Sequence, residues 1–390
     1  MVYLDNSSTT RQADEVTDLI SGISRDHFGN PSSLHSIGLD AEKIVEKARR
    51  QLADAVGADP SEITFDSGGT EADNTVLLET AEKRKHDGKR IVISAVEHPA
   101  VMETADRLAR EGFDVVKVGC GKADSDHPGS IDMEALREAV TEDTILVSVM
   151  AANNETGAVM PVREIAAAAH AKGAWMHTDA VQALGKMDLS HLSGGAEDSP
   201  DFITVSSHKI HGPKGVGMMT VRKGVKIPPF VTGGGQEKNL RSGTENVPGI
   251  AGFGLAAELA CGDLERHCKK MAEARAYLLD GIKAEIPDIL INTPDHSVPS
   301  VLNVCFLGTR GEVLLHTLEQ DGIYVSTGSA CSSNKKGKSY VLADLGRSDK
   351  EIESALRFSF SRYNTIEEMD FVIDRLKKAV SDFRMLGSFR

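Results

Sequence analysis

Residues 144–182 read TILVSVMAANNETGAVMPVREIAAAAHAKGAWMHTDAVQ, and the order of patterns within them sets the fold. The apolar run at 144–149 has the length and β-branched content of a buried strand. Turn-forming residues follow, then an Ala-rich segment at 162–172 with helical periodicity, then a second apolar run at 174–177. Strand, helix and strand in that order form a βαβ unit, whose strands run parallel. The alternation continues on both sides. Apolar runs recur at 62–65, 90–95, 114–118, 202–205 and 216–221, and helical stretches at 72–85, 100–111 and 133–140 separate most of them. A periodic, charged stretch at 39–56 precedes them and ends at Gly57, a natural residue for the left-handed position after a helix. The expected fold is α/β, with a mainly parallel seven-stranded sheet flanked by helices.

Near Gly249 the rhythm changes. One long helical stretch at 249–286 precedes a strand at 300–306, a helix at 311–320, short strands at 323–325 and 356–359, and a final helix from Ile366. This pattern predicts a second, smaller α+β domain.

Composition narrows the function. With 44 Lys+Arg against 58 Asp+Glu the net charge is −14, which argues against wholesale binding of a nucleic-acid backbone. No run approaches the ~20 apolar residues of a membrane span. The first ten residues, MVYLDNSSTT, lack the basic and apolar regions of a signal peptide. A cytoplasmic protein with no membrane contact is expected. The five cysteines (Cys120, Cys261, Cys268, Cys305 and Cys331) are odd in number and scattered, so they are no disulfide framework. Without a CxxC pair, no zinc or other metal site is expected.

The turns that follow strands in a parallel sheet carry the ligands. Asp66-Ser67-Gly68-Gly69-Thr70-Glu71 joins a strand to a helix, and its glycines would let backbone N–H groups reach a phosphate. It is neither a GxGxxG nor a Walker A loop, so a nucleotide is not indicated. His98, beside the helix-starting Pro99, reads by itself as structural before it reads as catalytic. Asn153 and Asn154 stand at a strand end, where Asn also serves turns. Asp179 ends a strand and would be either a helix cap or the partner of a cationic ring nitrogen. Lys209, in SSHKIHGPKG at 206–215, also follows a strand, and a desolvated Lys suits Schiff-base chemistry. A strand-end Asp, a strand-end Lys and a Gly-Thr phosphate turn are the three parts that a pyridoxal phosphate enzyme needs.

From Tyr3-Leu4-Asp5-Asn6 through Gly29-Asn30-Pro31-Ser32-Ser33 to Arg357-Phe358-Ser359, the chain resembles the pyridoxal-phosphate-dependent cysteine desulfurases of the NifS/IscS type, in the class V aminotransferase group. The most specific segments are SSHKIHGPKG, RSGTEN and STGSACSS. The resemblance implies the fold type I architecture, with a large cofactor domain at 16–260 and a small domain formed by 1–15 and 261–390. It implies that Lys209 carries the cofactor and that Asp179 pairs with its ring nitrogen. Gln182 would bond the ring oxygen and His98 would stack on the ring. Gly69, Thr70, Ser206 and His208 would bind the phosphate, and Thr244 would reach it from a neighbouring subunit, making a homodimer. Asn154 and Arg357 would hold the substrate carboxylate, for which Arg has a bidentate fork.

The same resemblance makes Cys331 the nucleophile that takes sulfur from L-cysteine, leaving L-alanine and a persulfide for a sulfur-acceptor protein in iron–sulfur assembly or tRNA thiolation. Lys335, Lys336 and Lys338 would favour its thiolate. His98 would manage a proton. Two departures from the family pattern, Ser7-Ser8 for a usual Ala pair and Gly69 for a frequent Ala, exchange small residues for small. The tail ending at Arg390 is shorter than in members that dock an iron–sulfur scaffold, so such docking does not follow from the resemblance. Selenocysteine lyase or another class V enzyme is the alternative reading.

Overall fold

A computed structural model describes residues 1–193, 195–327, 338–385 and 387. The chain begins with β1 (Val2–Tyr3) and helices α1 (Asp14–Asp26) and α2 (Ser36–Val56). Strands and helices then alternate: β2 (Ile63–Asp66), α3 (Gly69–Arg84), β3 (Arg90–Ser94), α4 (Pro99–Arg110), β4 (Asp114–Val118) and α5 (Met133–Ala139). The series continues with β5 (Thr144–Ser148), α6 (Val162–His170), β6 (Trp175–Asp179), β7 (Phe202–Ser206) and β8 (Gly217–Val221). Next come α7 (Val247–Cys261), α8 (Leu264–Glu285), β9 (Ile289–Ile291), β10 (Val301–Phe306), α9 (Gly311–Gln320) and β11 (Ile323–Tyr324). Helices α10 (Tyr340–Asp344) and α11 (Asp349–Glu353), strand β12 (Ala355–Ser359) and helix α12 (Ile366–Met385) complete the order.

Strands β2 to β8 form one seven-stranded sheet in the order β2-β8-β7-β6-β5-β3-β4. Neighbours from β4 to β7 pair in parallel, whereas β8 runs antiparallel to both β2 and β7. The reversal has a local cause. Only a single 3-10 turn, Ser207–Lys209, lies in the β7–β8 connection, and a parallel crossover needs a longer one. Every residue of β5 and β7 is buried, as a sheet covered on both faces requires.

The helix expected at 249–286 is two helices, α7 and α8, bent by 71° at their junction. Gly262 ends α7, and Asp263 leaves helical geometry before α8 starts. The two halves have different tasks. Helix α7 is buried nearly all round, while α8 buries only Met271, Ala274, Leu278 and Ile282 along one face. Gly254 of α7 lets α2 come close: a Cβ there would meet the Ala48 Cα at 2.8 Å.

A three-stranded antiparallel sheet in the order β12-β10-β9 packs on α8, α9 and α12 around Leu278, Phe306, Phe358 and Leu376. The main sheet has a separate core that includes Val147, Met176, Val205 and Phe253. The N-terminal segment links them. Strand β1 pairs with β11, Asp5 bridges Ser359 beyond Tyr3, and the chain then passes His208, to which Thr10 is bonded. Among the described residues no single helix is long and apolar enough to cross a membrane.

Candidate active site

A cavity of about 290 Å³ opens at the carboxyl ends of the parallel strands. The β2–α3 turn forms one end. Gly68 has φ +144, a conformation that a side chain would strain, and its N–H donates to Asp66 Oδ1 at 2.8 Å. Helix α3 starts at Gly69, so the N–H groups of Gly69 and Thr70 belong to its first, unpaired turn at the positive end of the dipole. A Cβ on Gly69 would stand 2.8 Å from Val181 Cγ2. Ser206, at the end of β7, and His208 line the cavity beside this turn, and the His208 ring contacts Thr9 Oγ1 at 3.1 Å. Burial, then Lys209 and Lys214, lower the His208 pKa to about 4.

Asp179 ends β6 inside the cavity, and its Oδ1 accepts the Val181 N–H at 2.8 Å. Burial raises its pKa to about 6, against the pull of the Val181 amide and Lys209. A second buried carboxyl, Asp73 of α3, lines the same wall and accepts the Thr204 hydroxyl at 2.6 Å. Burial first, then Asp179, lift it well above the usual range. The buried His177 ring lies 3.2 Å from Thr204 Oγ1 and 2.8 Å from Ser148 Oγ. Because the Thr204 hydroxyl proton goes to Asp73, His177 donates from Nε2 and accepts from Ser148 at Nδ1.

Lys209 lies in the 3-10 turn after β7, and its Nζ donates to the carbonyls of Ser7 (2.6 Å) and Ser8 (2.7 Å). Gln182 Nε2 donates to the same Ser7 carbonyl at 2.9 Å. His98 is both cap and cavity wall. Its Nδ1 accepts the Ala100 N–H at 3.2 Å, which leaves the proton on Nε2, and burial, then Lys209, lower its pKa to about 4.

Arg357 reaches the cavity from β12 and is buried. Its Nη2 donates to Asp5 Oδ1 (2.9 Å) and Ser8 Oγ (2.8 Å), and its Nη1 to the Asn154 carbonyl (2.9 Å). Its Nε is a buried donor without a partner among the described residues. The two asparagines divide their roles. Asn153 is consumed by the turn, bonding Val96, Glu155 and Thr156, whereas Asn154 lines the cavity. Helix-start N–H groups for a phosphate, a carboxylate for a ring nitrogen, an amine for an aldehyde and a spare guanidinium donor fit pyridoxal phosphate and an amino-acid carboxylate.

The sequence model of the family described as Aminotransferase class-V matches residues 2–372. The chain belongs to the class-V aminotransferases. Pyridoxal phosphate is the cofactor of this family. Among class-V relatives, a cysteine desulfurase IscS of Clostridium botulinum is 39% identical over 389 residues, covering 99% of this chain and 96% of the relative. A solved NifS-like protein aligns with TM-score 0.89 at 38% identity, over 98% of this chain and 99% of the other. A structure titled SspA in complex with cysteine aligns with TM-score 0.81 at 30% identity, over 94% of this chain and 100% of the other.

In this class-V chain, ten of the residues singled out from sequence line the one cavity: Gly69, Thr70, His98, Asn154, Asp179, Gln182, Ser206, His208, Lys209 and Arg357. Thr244 is exposed and does not line it. Cys331 lies outside the described residues, as do Lys335 and Lys336. The other four cysteines carry no thiolate signal. Burial raises Cys120 to about 12 and Cys261 to about 11, and it also raises Cys268 and Cys305. Sequence reading missed Asp73, Ser7 and Ser8. The serines had a signal, the polar run Asn6-Ser7-Ser8-Thr9-Thr10 without strand or helix period. Asp73 had none, because a carboxylate in a helix reads as solvated until the fold buries it.

Proposed function

We propose that the chain is a cysteine desulfurase that converts L-cysteine to L-alanine and leaves the sulfur as a persulfide on Cys331. The single observation that carries this reading is the meeting of Lys209, Asp179 and Arg357 on one cavity, with Arg357 Nε without a partner among the described residues. Bound pyridoxal phosphate supplies an electron sink that acidifies the substrate Cα–H and loosens its sulfur. The protein does the rest. Lys209 would hold the cofactor through its aldehyde, and its amine, once free, would carry the substrate Cα proton. Asp179 would hold the ring nitrogen in its protonated form, and Gln182 would donate to the ring oxygen. Gly69, Thr70, Ser206 and His208 would hold the phosphate. Arg357 and Asn154 orient the substrate carboxylate. His98 is neutral at pH 7 and carries its proton on Nε2, ready to stack and to pass that proton on.

The sulfur step is a thiolate attack by Cys331 on the substrate sulfur. An S–S bond forms, the C–S bond breaks, and its electron pair stays with the carbon skeleton, which is protonated to alanine. An acceptor protein of iron–sulfur assembly or tRNA thiolation then takes the persulfide sulfur. The same reading includes a homodimer completed by Thr244 of the neighbouring chain, and a reducing cytoplasm that keeps Cys331 a thiol. It also includes the division into 16–260 and 1–15 with 261–390, supported by the two separate cores.

Incubation of the purified protein with L-cysteine, followed by alanine assay and mass spectrometry of the Cys331 peptide, tests this reading. Alanine with one extra sulfur on Cys331 is expected, and Cys331→Ala should keep the cofactor absorbance but lose turnover with cysteine. Full turnover by that variant would remove Cys331 from the reaction.

A further inference from the structure

Lys186 follows Gln182 by one helical turn's spacing, is buried, and was not used by the site described above. Its Nζ donates to Gln182 Oε1 at 2.8 Å, and Gln182 in turn donates from Nε2 to the Ser7 carbonyl at 2.9 Å. That carbonyl also accepts from Lys209 Nζ at 2.6 Å, so Lys186 stands at the rear of a chain that ends on the cofactor lysine.

The setting is unusual for a lysine. The small hollow around it is shared with Lys209, His211, His267 and Arg362. From helix α8 the Cys268 thiol donates to the Lys186 carbonyl at 3.2 Å, and Arg357 acts on it electrostatically. No carboxylate is among these groups. His211 is neutral, with its pKa lowered to about 4 chiefly by burial. Burial, then Lys209 and Arg357, lower Lys186 itself to about 7. A buried amine without a counter-ion costs stability that an apolar residue of like volume would not. The position therefore calls for a reason beyond packing, and its bond to Gln182 supplies one.

A carboxamide can present either end to a ligand, since its oxygen and nitrogen are alike in shape. An ammonium donates and never accepts. With Lys186 in its ammonium form, as it is below its pKa of about 7, Gln182 turns its oxygen to the rear and its NH₂ toward Ser7 and the cavity. We propose that Lys186 is a positioning residue that fixes the Gln182 carboxamide with its NH₂ toward the ring oxygen of the bound cofactor. The proposal rests on the placement of Gln182 at that oxygen.

The visible absorption band of the bound cofactor, titrated with pH in the holoenzyme, reads the effect. A donor held on the ring oxygen weakens that oxygen's hold on the neighbouring nitrogen's proton, so the band's pH midpoint is lowered. Lys186→Met should raise the midpoint by about one unit, and Lys186→Arg, which keeps the donor, should restore most of it. Gln182→Leu should shift it likewise, and the double variant should move no further than Gln182→Leu alone. A wild-type midpoint in Lys186→Met beside a shifted one in Gln182→Leu would overturn the role of Lys186 and leave the placement of Gln182 standing. Unmoved midpoints in both would overturn the Gln182 placement and the proposal with it. An equal Lys186→Met shift in the Gln182→Leu background would show that the charge acts directly, and would also overturn it. Lys186→Ala repeats the comparison if Lys186→Met lowers Tm.

Discussion

Asp179 shows how one residue's environment sets its chemistry. The strand end places it where water is excluded, and burial lifts its pKa to about 6. A raised carboxyl pKa favours the protonated native state. That contribution to stability is present below the unfolded value near 4 and is lost as pH rises through about 6. Asp179→Asn should therefore stabilise the cofactor-free protein at pH 7–8, by roughly 1–3 kcal/mol, with the gain vanishing near pH 4. Thermal melts at the two pH values check this. If Asp179 pairs with the ring nitrogen as proposed, the same variant should lose cofactor affinity, because that nitrogen would lose its counter-charge. Arg357 is the matching case at the proposed substrate end. Its Nη atoms are engaged by Asp5, Ser8 and Asn154, so Arg357→Lys should keep the cofactor spectrum yet lower kcat/KM for cysteine about 100-fold. An unchanged kcat/KM would remove Arg357 from substrate binding.

At the scale of elements, the proposed phosphate end depends on how closely β8 passes behind the β2–α3 turn. A Cβ at Gly217 would sit 2.5 Å from the Gly68 Cα, which is backbone and cannot step aside. One at Gly69 would meet only the end of the Val181 side chain. Gly217→Ala should thus weaken cofactor binding measurably and cost roughly 1–3 kcal/mol, while Gly69→Ala should be mild. Cofactor affinity by fluorescence titration and Tm in parallel distinguish them. Equal effects would mean that the turn is not held by that contact. The antiparallel return of β8 is what makes the approach possible, because it brings Gly217 opposite Asp66 in register.

The whole molecule brings remote segments together. Lys209 comes from the end of the main sheet, Arg357 from the small sheet, and Ser7 and Ser8 from the N-terminal segment that joins them. Thr244 is exposed and is not among the residues that line this chain's own cavity. If Thr244 serves the neighbouring site, mixing Lys209→Ala chains with Thr244→Ala chains should recover activity. Each mixed dimer would then hold one intact site. Subunit exchange followed by alanine assay checks this, and no recovery in dimers shown to have exchanged would place Thr244 with its own chain's site.

How much of this was legible in the sequence depends on range. Strand and helix order from 62 to 221, and the strand-end positions of Asp179 and Lys209, follow from local periodicity and from the rule that parallel strands deliver ligands at one edge. The break between α7 and α8 was not legible, because Gly262 and Asp263 sit within a composition that helices tolerate. His98 could be read as structural or catalytic, and only the folded chain shows that its Nδ1 caps α4 while its ring lines the cavity. The N-terminal serines, Asp73 and Lys186 became part of the site through long-range packing. Local pattern determines what a segment is, since hydrogen bonding and side-chain period are short-range. Burial and the field from distant charges decide what a titratable residue can do, and those exist only once the tertiary structure has formed.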